Sequence, residues 1–411
     1  MKQIKRLFKN KTTNLSWFFV LMFLEMMFAN FAHPVTPYLI EVRMMPAYTF
    51  GFAFSAMAFT NFLFSPFWGL MSNRYGRMTI YLIGCLGYAL GQVGFALSMS
   101  FWALILARMV AGFFVGGVIV MQLTIVMDYS NENTQSSNLT IHATVFTIAG
   151  ALGYLLGGFL GDYSISLLFY LQIIGLVSSG VLAFLTFRQI DLDPDEVNKP
   201  HNWLSEINPL TGFKVAYKTL NATLWVFLLV VFLAQVGSIA FDQSFNFFIR
   251  NQFGFPPSYN GMLKAAFGIL ALVINGTIGM YLVRRTTQQK PLLIILLVMS
   301  SLSIALFTLT NQVIFLIVSI ALFVFNSLFI ILIQTIAGRL GKKLDYSVFM
   351  GMFNAIKSFG MIIGSSVVGL VYSIQANYSF LFSGFSLLLA AMFLFLFIRT
   401  YKAKKIHSQS E

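Results

Sequence analysis

Apolar stretches separated by short polar segments occupy nearly the whole chain. Twelve stretches approach or exceed the roughly 20 mostly apolar residues that an α-helix needs to cross a bilayer. One long polar segment, 188–221, divides them into six and six. The pattern predicts an all-α polytopic membrane protein with an N-terminal six-helix bundle over 1–187, a cytoplasmic linker over 188–221, and a C-terminal six-helix bundle with a basic tail over 222–411. The predicted spans are 15–40, 48–71, 78–98, 101–127, 141–162, 165–187, 222–249, 258–283, 291–310, 312–337, 346–373 and 377–398.

Composition supports this prediction. Of the 411 residues, 58% are hydrophobic and 9% are charged, and the mean hydropathy is +0.81. A soluble domain would carry about 25% charged residues. The single cysteine, Cys85, falls inside a predicted span, so we expect neither a disulfide nor a cysteine-based metal site. The sequence shows no motif typical of hydrolytic enzymes and no nucleotide-binding P-loop. We therefore expect neither an enzyme nor an ATP-driven pump.

The positive charges predict the orientation. Nearly all of the 26 Lys and Arg residues fall in the two termini, the linker and every second loop. Outside the spans only Arg43 and Arg250 lie on the opposite side. By the positive-inside rule we expect both termini in the cytoplasm and a multi-pass location in the cell membrane. This asymmetry explains the net charge of +13 without a nucleic-acid partner.

A short basic loop between the second and third spans carries the most specific motif. Residues 69–77 read Gly-Leu-Met-Ser-Asn-Arg-Tyr-Gly-Arg, and a degraded copy occupies 279–285, about half a chain length later. This period indicates two homologous halves, as in transporters built from parallel repeats. When the halves are aligned on Phe23-Leu24 and Phe232-Leu233, His33 falls opposite Asp242.

The loop resembles the signature between helices 2 and 3 of the major facilitator superfamily, and other motifs are similar to those of its twelve-helix drug–proton antiporters. Asparagine stands at 73 where the family pattern has aspartate, and tyrosine stands at 154 where proline is usual. The resemblance implies two pseudo-symmetric six-helix bundles, an arginine embedded in helix 4 at position 108, and a cytoplasmic gate in which Arg77 meets Asp128. The implied motif positions are Gly69, Asn73, Arg74, Gly76, Arg77 and Asp128 for the gate, and Gly153, Tyr154, Gly157 and Gly158 for the antiporter-like motif of helix 5.

Titratable residues inside the spans are the candidates for proton coupling. A charged residue at the bilayer centre costs at least a few kcal/mol, so it usually faces a partner or a cavity and marks function. Glu25, near mid-depth in the first span, is the first candidate, and Asp242 and His33 are the others. Since the resemblance places helices 1 and 4 together, we expect Arg108 within electrostatic reach of Glu25. A purely structural ion pair is the alternative.

Two further cations lie in the second half. Lys357 is well inside its span, and with Arg108 it is a candidate cavity charge that would favour an anionic substrate. Lys264 is close to the end of its span, from where its side chain can reach outward. Uncharged residues offer weaker cavity candidates, namely Phe28, Asn30, Gln122, Gln235 and Asn326.

These features favour a proton-coupled secondary transporter of multidrug type that exports hydrophobic or amphipathic small molecules by alternating access. We expect a monomer that needs neither cofactor nor metal and uses the proton gradient as its energy source. Two alternatives stay open. One is an exporter or importer of a specific metabolite, sugar conjugate or lipid, and the other, motivated by Asn73 and Tyr154, is a non-transporting membrane receptor or scaffold.

Overall fold

The computed structural model describes residues 11–130, 134–187, 222–284, 289–341 and 346–410. The predicted linker, 188–221, lies outside the described residues. All regular structure in the described part is helical, with a π-helical turn, Asn275–Gly279, between α9 and α10. The helices are α1 (Lys11–Ala29), α2 (Thr36–Val42), α3 (Thr49–Tyr75), α4 (Arg77–Leu97), α5 (Phe101–Asp128), α6 (Gln135–Tyr163), α7 (Ile165–Phe187), α8 (Ala222–Asn251), α9 (Pro257–Ile274), α10 (Met280–Arg284), α11 (Gln289–Thr308), α12 (Gln312–Gly341), α13 (Tyr346–Ile374) and α14 (Tyr378–Ser410).

The lengths of these helices agree with a membrane fold. Eleven helical segments of the described residues are long and apolar enough to cross a bilayer, and a shorter apolar helix, Leu15–Ala29, precedes them. One of the eleven, Pro257–Arg284, combines α9, the π-helical turn and α10. The all-α polytopic class predicted from the hydropathy pattern is confirmed.

The first predicted span, 15–40, is not a continuous helix, which corrects the sequence-based prediction. Helix α1 ends at Ala29 and α2 begins at Thr36. Between them the backbone forms turns, in which the His33 N–H donates to the Asn30 carbonyl at 3.3 Å. Pro34 explains the break, because it has no N–H to donate and disfavours helical backbone at the preceding residue.

Side chains satisfy the backbone groups that the break exposes. The carbonyl of Ala29 accepts hydrogen bonds from the Tyr88 hydroxyl and from Nε2 of Gln172, both at 3.2 Å. Asn30 Nδ2 donates to the carbonyl of Met26 at 2.7 Å. Inside a membrane no water replaces such bonds, so non-helical backbone is tolerated only where the protein itself supplies partners.

Two glycine pairs bring helix backbones into close contact. On α6, a Cβ added to Gly157 would lie 2.7 Å from the Cα of Phe31. On α13, a Cβ added to Gly364 would lie 2.9 Å from the Cα of Val236 on α8. Their partners Gly153 and Gly360 pack in the same way against α1 and α8. These are the small-xxx-small contacts that let membrane helices approach closely.

The chain forms two compact units. The first unit comprises Met1–Met45, Ala56–Asn208 and Phe255–Gly268, and the second comprises Pro46–Ser55, Pro209–Gly254 and Ile269–Glu411, in each case so far as these residues are described. The first turns of α9 therefore belong to the first unit, together with α1, α2 and α4–α7. The first unit contains most of the motif residues singled out in the sequence.

Candidate functional site

Arg108, the predicted embedded arginine, lies on α5 beside the start of α2. Its side chain is almost fully buried, with 5% of its surface exposed. Nη2 donates to the Thr36 hydroxyl at 3.3 Å, and Nη1 lies 4.0 Å from the sulfur of Met57. The guanidinium carbon stands 3.7 Å above the ring centre of Phe95. All of these partners are neutral, so within the described part of the chain a positive charge is buried without an acidic partner.

The break of the first span places a histidine close to this arginine. The rings of His33 and Tyr154 stack, with centroids 5.4 Å apart and planes inclined by 8°. The charges that act on His33 are those of Arg108 and Lys264. The tyrosine that replaces the usual proline of the antiporter-like motif therefore contacts the break directly.

The first turn of α9 brings Lys264 to this region. Asn260 Nδ2 donates to the carbonyl of Pro34 at 3.5 Å, and Lys264 follows one helical turn later on the same face. The N-terminus of α9 is capped by Asp162, whose two carboxylate oxygens both lie 3.3 Å from the backbone nitrogen of Ser258. The sequence predicts only that Lys264 reaches outward. In the structure its charge acts on His33.

Glu25 lies deeper along α1 and is completely buried. Its Oε2 accepts a hydrogen bond of 2.7 Å from Nε2 of Gln122 on α5. Its other oxygen has no hydrogen-bond partner among the described residues. Tyr81 and Cys85 of α4 are close enough to interact electrostatically with Glu25. The carboxyl group thus sits in a largely apolar environment with one amide as its partner.

The structure corrects the predicted proximity of Glu25 and Arg108. Glu25 bonds to Gln122, which follows Arg108 on the same helix by fourteen residues, or about 21 Å along the axis at 1.5 Å per residue. An arginine side chain cannot bridge that distance. Position counted along each span from its own end does not give the relative depth of side chains on neighbouring helices.

The predicted gate motif contains the expected ion pair between Arg77 and Asp128. Arg77 Nε lies 3.2 Å from Asp128 Oδ2, and Arg77 Nη1 donates to the hydroxyl of Ser72 at 2.6 Å. Gly76, with φ of 88°, makes the turn between α3 and α4 in a conformation that other residues rarely adopt. The side chain of Asn73 lies outside the described residues. The other motif residues, Gly69 and Arg74, lie in the last turns of α3.

The remaining charged candidates belong to the second unit. Asp242 on α8 and Lys357 on α13 are both half-buried. Ser238, one turn before Asp242, donates to Oδ1 of Asn326 on α12 at 2.6 Å. Gln235 contacts α13, where a Cβ on Gly360 would lie 3.0 Å from it. These residues give α8 a polar face within its apolar span.

Sequence reasoning missed two residues that shape the site, Tyr88 and Gln172, which hold the broken backbone. A polar residue inside an apolar span was the available signal for both, but it does not reveal a partner on another helix. Among the described residues no group of three or more His, Cys, Asp or Glu side chains is placed to hold a metal ion.

Known proteins similar to this chain are membrane transporters. The sequence profile of the Major Facilitator Superfamily matches residues 18–342. The chain is 21% identical over 355 residues to Multidrug resistance protein 2 of Bacillus subtilis (strain 168), covering 86% of this chain and 87% of the relative. It is 25% identical over 227 residues to the class B tetracycline resistance protein of Escherichia coli, covering 55% of each. The crystal structure of the nucleoside transporter NupG has a TM-score of 0.71 at 17% identity, covering 93% of this chain and 99% of that one.

Proposed function

Because the chain belongs to the Major Facilitator Superfamily, we propose that it is a proton-coupled secondary transporter that exports hydrophobic or amphipathic small molecules by alternating access. The family makes it a membrane transporter of small molecules rather than an enzyme, and such transporters generally need no cofactor. In this proposal the proton gradient supplies the energy, the protein works as a monomer, and both termini face the cytoplasm.

The observation that carries the proposal is the buried carboxyl group of Glu25. A carboxylate without a cationic partner is costly in apolar surroundings, and protonation removes that cost. One oxygen of Glu25 is held by Gln122 and the other has no hydrogen-bond partner in the described part of the chain, so it offers a place for a proton. Exposing Glu25 alternately to the two sides of the membrane would let it take up and release that proton.

The names of the relatives support export as the direction of transport. The two curated relatives described above are named for resistance to drugs or to tetracycline. Resistance is the outcome expected of a transporter that moves the compound out of the cell. The Arg77–Asp128 pair is compatible with a latch at the predicted cytoplasmic end, where it would separate and re-form during each cycle.

Transport by the purified protein in proteoliposomes tests the proposal. A gradient of about two pH units supplies about 2.7 kcal/mol per proton, enough to raise accumulation about a hundredfold. We expect the gradient to drive uptake of neutral, cationic or anionic amphipathic dyes by the wild type. In Glu25→Gln we expect this stimulation to disappear, while exchange of dye without a gradient continues.

The matched control is Glu41→Gln, which removes an exposed carboxyl group at the end of α2. It should keep the response of the wild type. A wild type that ignores the gradient would refute proton coupling. A Glu25→Gln variant that still responds to the gradient would refute the role of Glu25.

One observation favours the second candidate, a transporter of a single metabolite. The buried charge of Arg108 suits a substrate with a defined anionic group better than it suits a broad range of compounds. The dye panel separates the two functions. Transport of several unrelated dyes supports multidrug export, whereas transport of none, together with accumulation of one metabolite in deletion cells, supports the alternative.

A further inference from the structure

We infer that the cations at the break of the first span form a binding site for the carboxylate of an amphipathic organic anion. The site consists of Arg108 and Lys264 with His33 and the rings of Tyr154 and Phe95. The inference rests on the proposed function only in assuming that the protein carries small molecules. It specifies the chemical class of substrate that the first unit recognises.

Arg108 has an incomplete set of hydrogen-bond partners among the described residues. A buried charge that lacks a counter-charge is strongly destabilising, so it is usually paired or serves a function. The guanidinium has five N–H donors. One bonds to the Thr36 hydroxyl, and another has only the sulfur of Met57, at 4.0 Å. A planar carboxylate matches the remaining donors, because it accepts two parallel hydrogen bonds from a guanidinium.

The described acids of the first unit are not partners of Arg108. Among the described residues its electrostatic neighbours are the hydroxyl groups of Tyr88 and Tyr154. Of the acids in the described part of this unit, Glu41 is exposed near the outer end of α2. The other three have their own partners: Glu25 bonds to Gln122, Asp128 pairs with Arg77, and Asp162 caps the backbone of Ser258. An external anion would therefore supply the missing counter-charge.

Lys264 adds positive charge at the same break. Lys264 lies on the face of α9 whose preceding turn bonds to Pro34, and its charge acts on His33. Arg108 acts on His33 as well. Two cations directed at one break in the backbone raise the local positive potential, which attracts and orients an anionic ligand.

Aromatic rings flank the two charged residues of the break. The fully buried ring of Phe95 lies directly under the guanidinium of Arg108 and supports it, and the half-buried ring of Tyr154 covers His33. The ring of Tyr154 offers a surface for a flat apolar group, while the cations fix the polar end. A neutral analogue would leave the buried cation unpaired, which gives the site its selectivity for anions.

Equilibrium binding to the purified protein in detergent tests the inference, with 1-naphthaleneacetate and 1-naphthaleneacetamide as probes. The two probes share ring and chain length and differ in charge. The wild type should bind the carboxylate at least about tenfold more tightly than the amide, since hydrogen bonds between charged groups are the stronger ones. Arg108→Gln should remove this preference. Lys264→Gln should reduce the ratio of the two affinities about threefold, which is about half of the free-energy difference of a tenfold ratio.

Lys290→Gln, which removes an exposed cation at the start of α11, is the control and should keep the preference. Equal affinity of the wild type for both probes would overturn the inference. So would an Arg108→Gln variant that retains the preference. If Arg108→Gln fails to fold, Lys264→Gln decides: a lowered carboxylate-to-amide ratio supports the site, and an unchanged ratio overturns it. Because no membrane or gradient is present, failure of proton coupling would leave this result unaffected.

Discussion

The first span and its counterpart in the second unit are packed alike but built differently. Gly157 brings α6 against Phe31, and Gly364 brings α13 against Val236 on α8. Yet the first span is broken between α1 and α2, whereas α8 runs without interruption from Ala222 to Asn251. In the alignment of the two halves, His33-Pro34 falls opposite Asp242-Gln243, so only the first copy has a proline at this point. The two copies therefore keep similar glycine contacts although only the first is interrupted.

The break also changes the polar chemistry of the first unit. Thr36, whose hydroxyl binds Arg108, is the first residue of α2, and His33 lies in the turn. In the continuous α8, polar side chains such as Ser238 and Asp242 follow one another at helical spacing instead. Discontinuous helices supply substrate and ion sites in many transporters. We therefore expect the substrate-binding charges in the first unit and hydrogen-bonding residues in the second.

Substitution of the two packing glycines should have the largest effect on stability. In Gly157→Ala and Gly364→Ala the added methyl group would lie within 3 Å of backbone atoms. Overpacking of this kind typically costs about 1–3 kcal/mol, and we expect values near the upper end because backbone has to move. The measurement is equilibrium unfolding of each purified variant in mixed micelles.

The control for both glycines is Gly338→Ala on α12, where nothing lies within 4 Å of the added methyl group. It should be neutral or stabilising by up to about 1 kcal/mol, since alanine favours helix over glycine. Similar losses at 157 and 364 would support equivalent packing of the two spans. A loss at only one of them would show that the broken helix yields where the continuous helix does not.

Hydropathy predicted the helices well, because a span is a local property of the sequence. It failed at residues 30–35, where the apolar stretch continues through the turns and only Pro34 and Pro37 indicate a break. A proline alone does not predict a break in a helix, since Pro66 lies within the continuous helix α3. Whether a proline interrupts a membrane helix depends on partners for the freed backbone groups, which here come from α4 and α7.

Contacts between distant residues were harder to predict than spans. Arg77 and Asp128 were paired through the family motif, and the ion pair is present. Glu25 was assigned to the nearest embedded cation, but its partner is the neutral amide of Gln122. Pairing by charge assumes that opposite charges meet. The depth at which each helix presents its side chain decides the contact, and that depth follows from the packed structure.

Removing the donors that hold the break should have an intermediate and non-additive effect. Tyr88→Phe or Gln172→Leu alone leaves the Ala29 carbonyl one partner, so each should cost less than about 0.5 kcal/mol. The double variant leaves a buried carbonyl unsatisfied, at a cost of about 1–2 kcal/mol. Unfolding of the two single variants and the double variant gives the coupling directly.

A coupling of the opposite sign is expected in the continuous span. Ser238→Ala and Asn326→Ala remove a side-chain pair on α8 and α12 without touching a freed carbonyl. Because loss of either partner breaks the same single bond, the double variant should cost less than the sum of the two single variants. Additive effects of Tyr88→Phe and Gln172→Leu would contradict the view that both donors serve one carbonyl.

The smallest effect is expected at the loops that recur in the two halves. In the first, Arg77 pairs with Asp128, whose side chains are 23% and 37% exposed. In the second, Arg339 Nη2 donates to the carbonyl of Val283 at 3.0 Å. Exposed ion pairs contribute about 0–1 kcal/mol and weaken as salt screens them.

A double-mutant cycle of Arg77→Gln and Asp128→Asn should therefore give a coupling of about 0.5 kcal/mol at low salt that fades at high salt. The hydrogen bond from Arg339 to the Val283 carbonyl is a contact of a different kind, because its acceptor carries no net charge. If the Arg77–Asp128 coupling instead exceeds about 2 kcal/mol, the pair behaves as a desolvated contact, and the two loops differ in burial as well as in sequence.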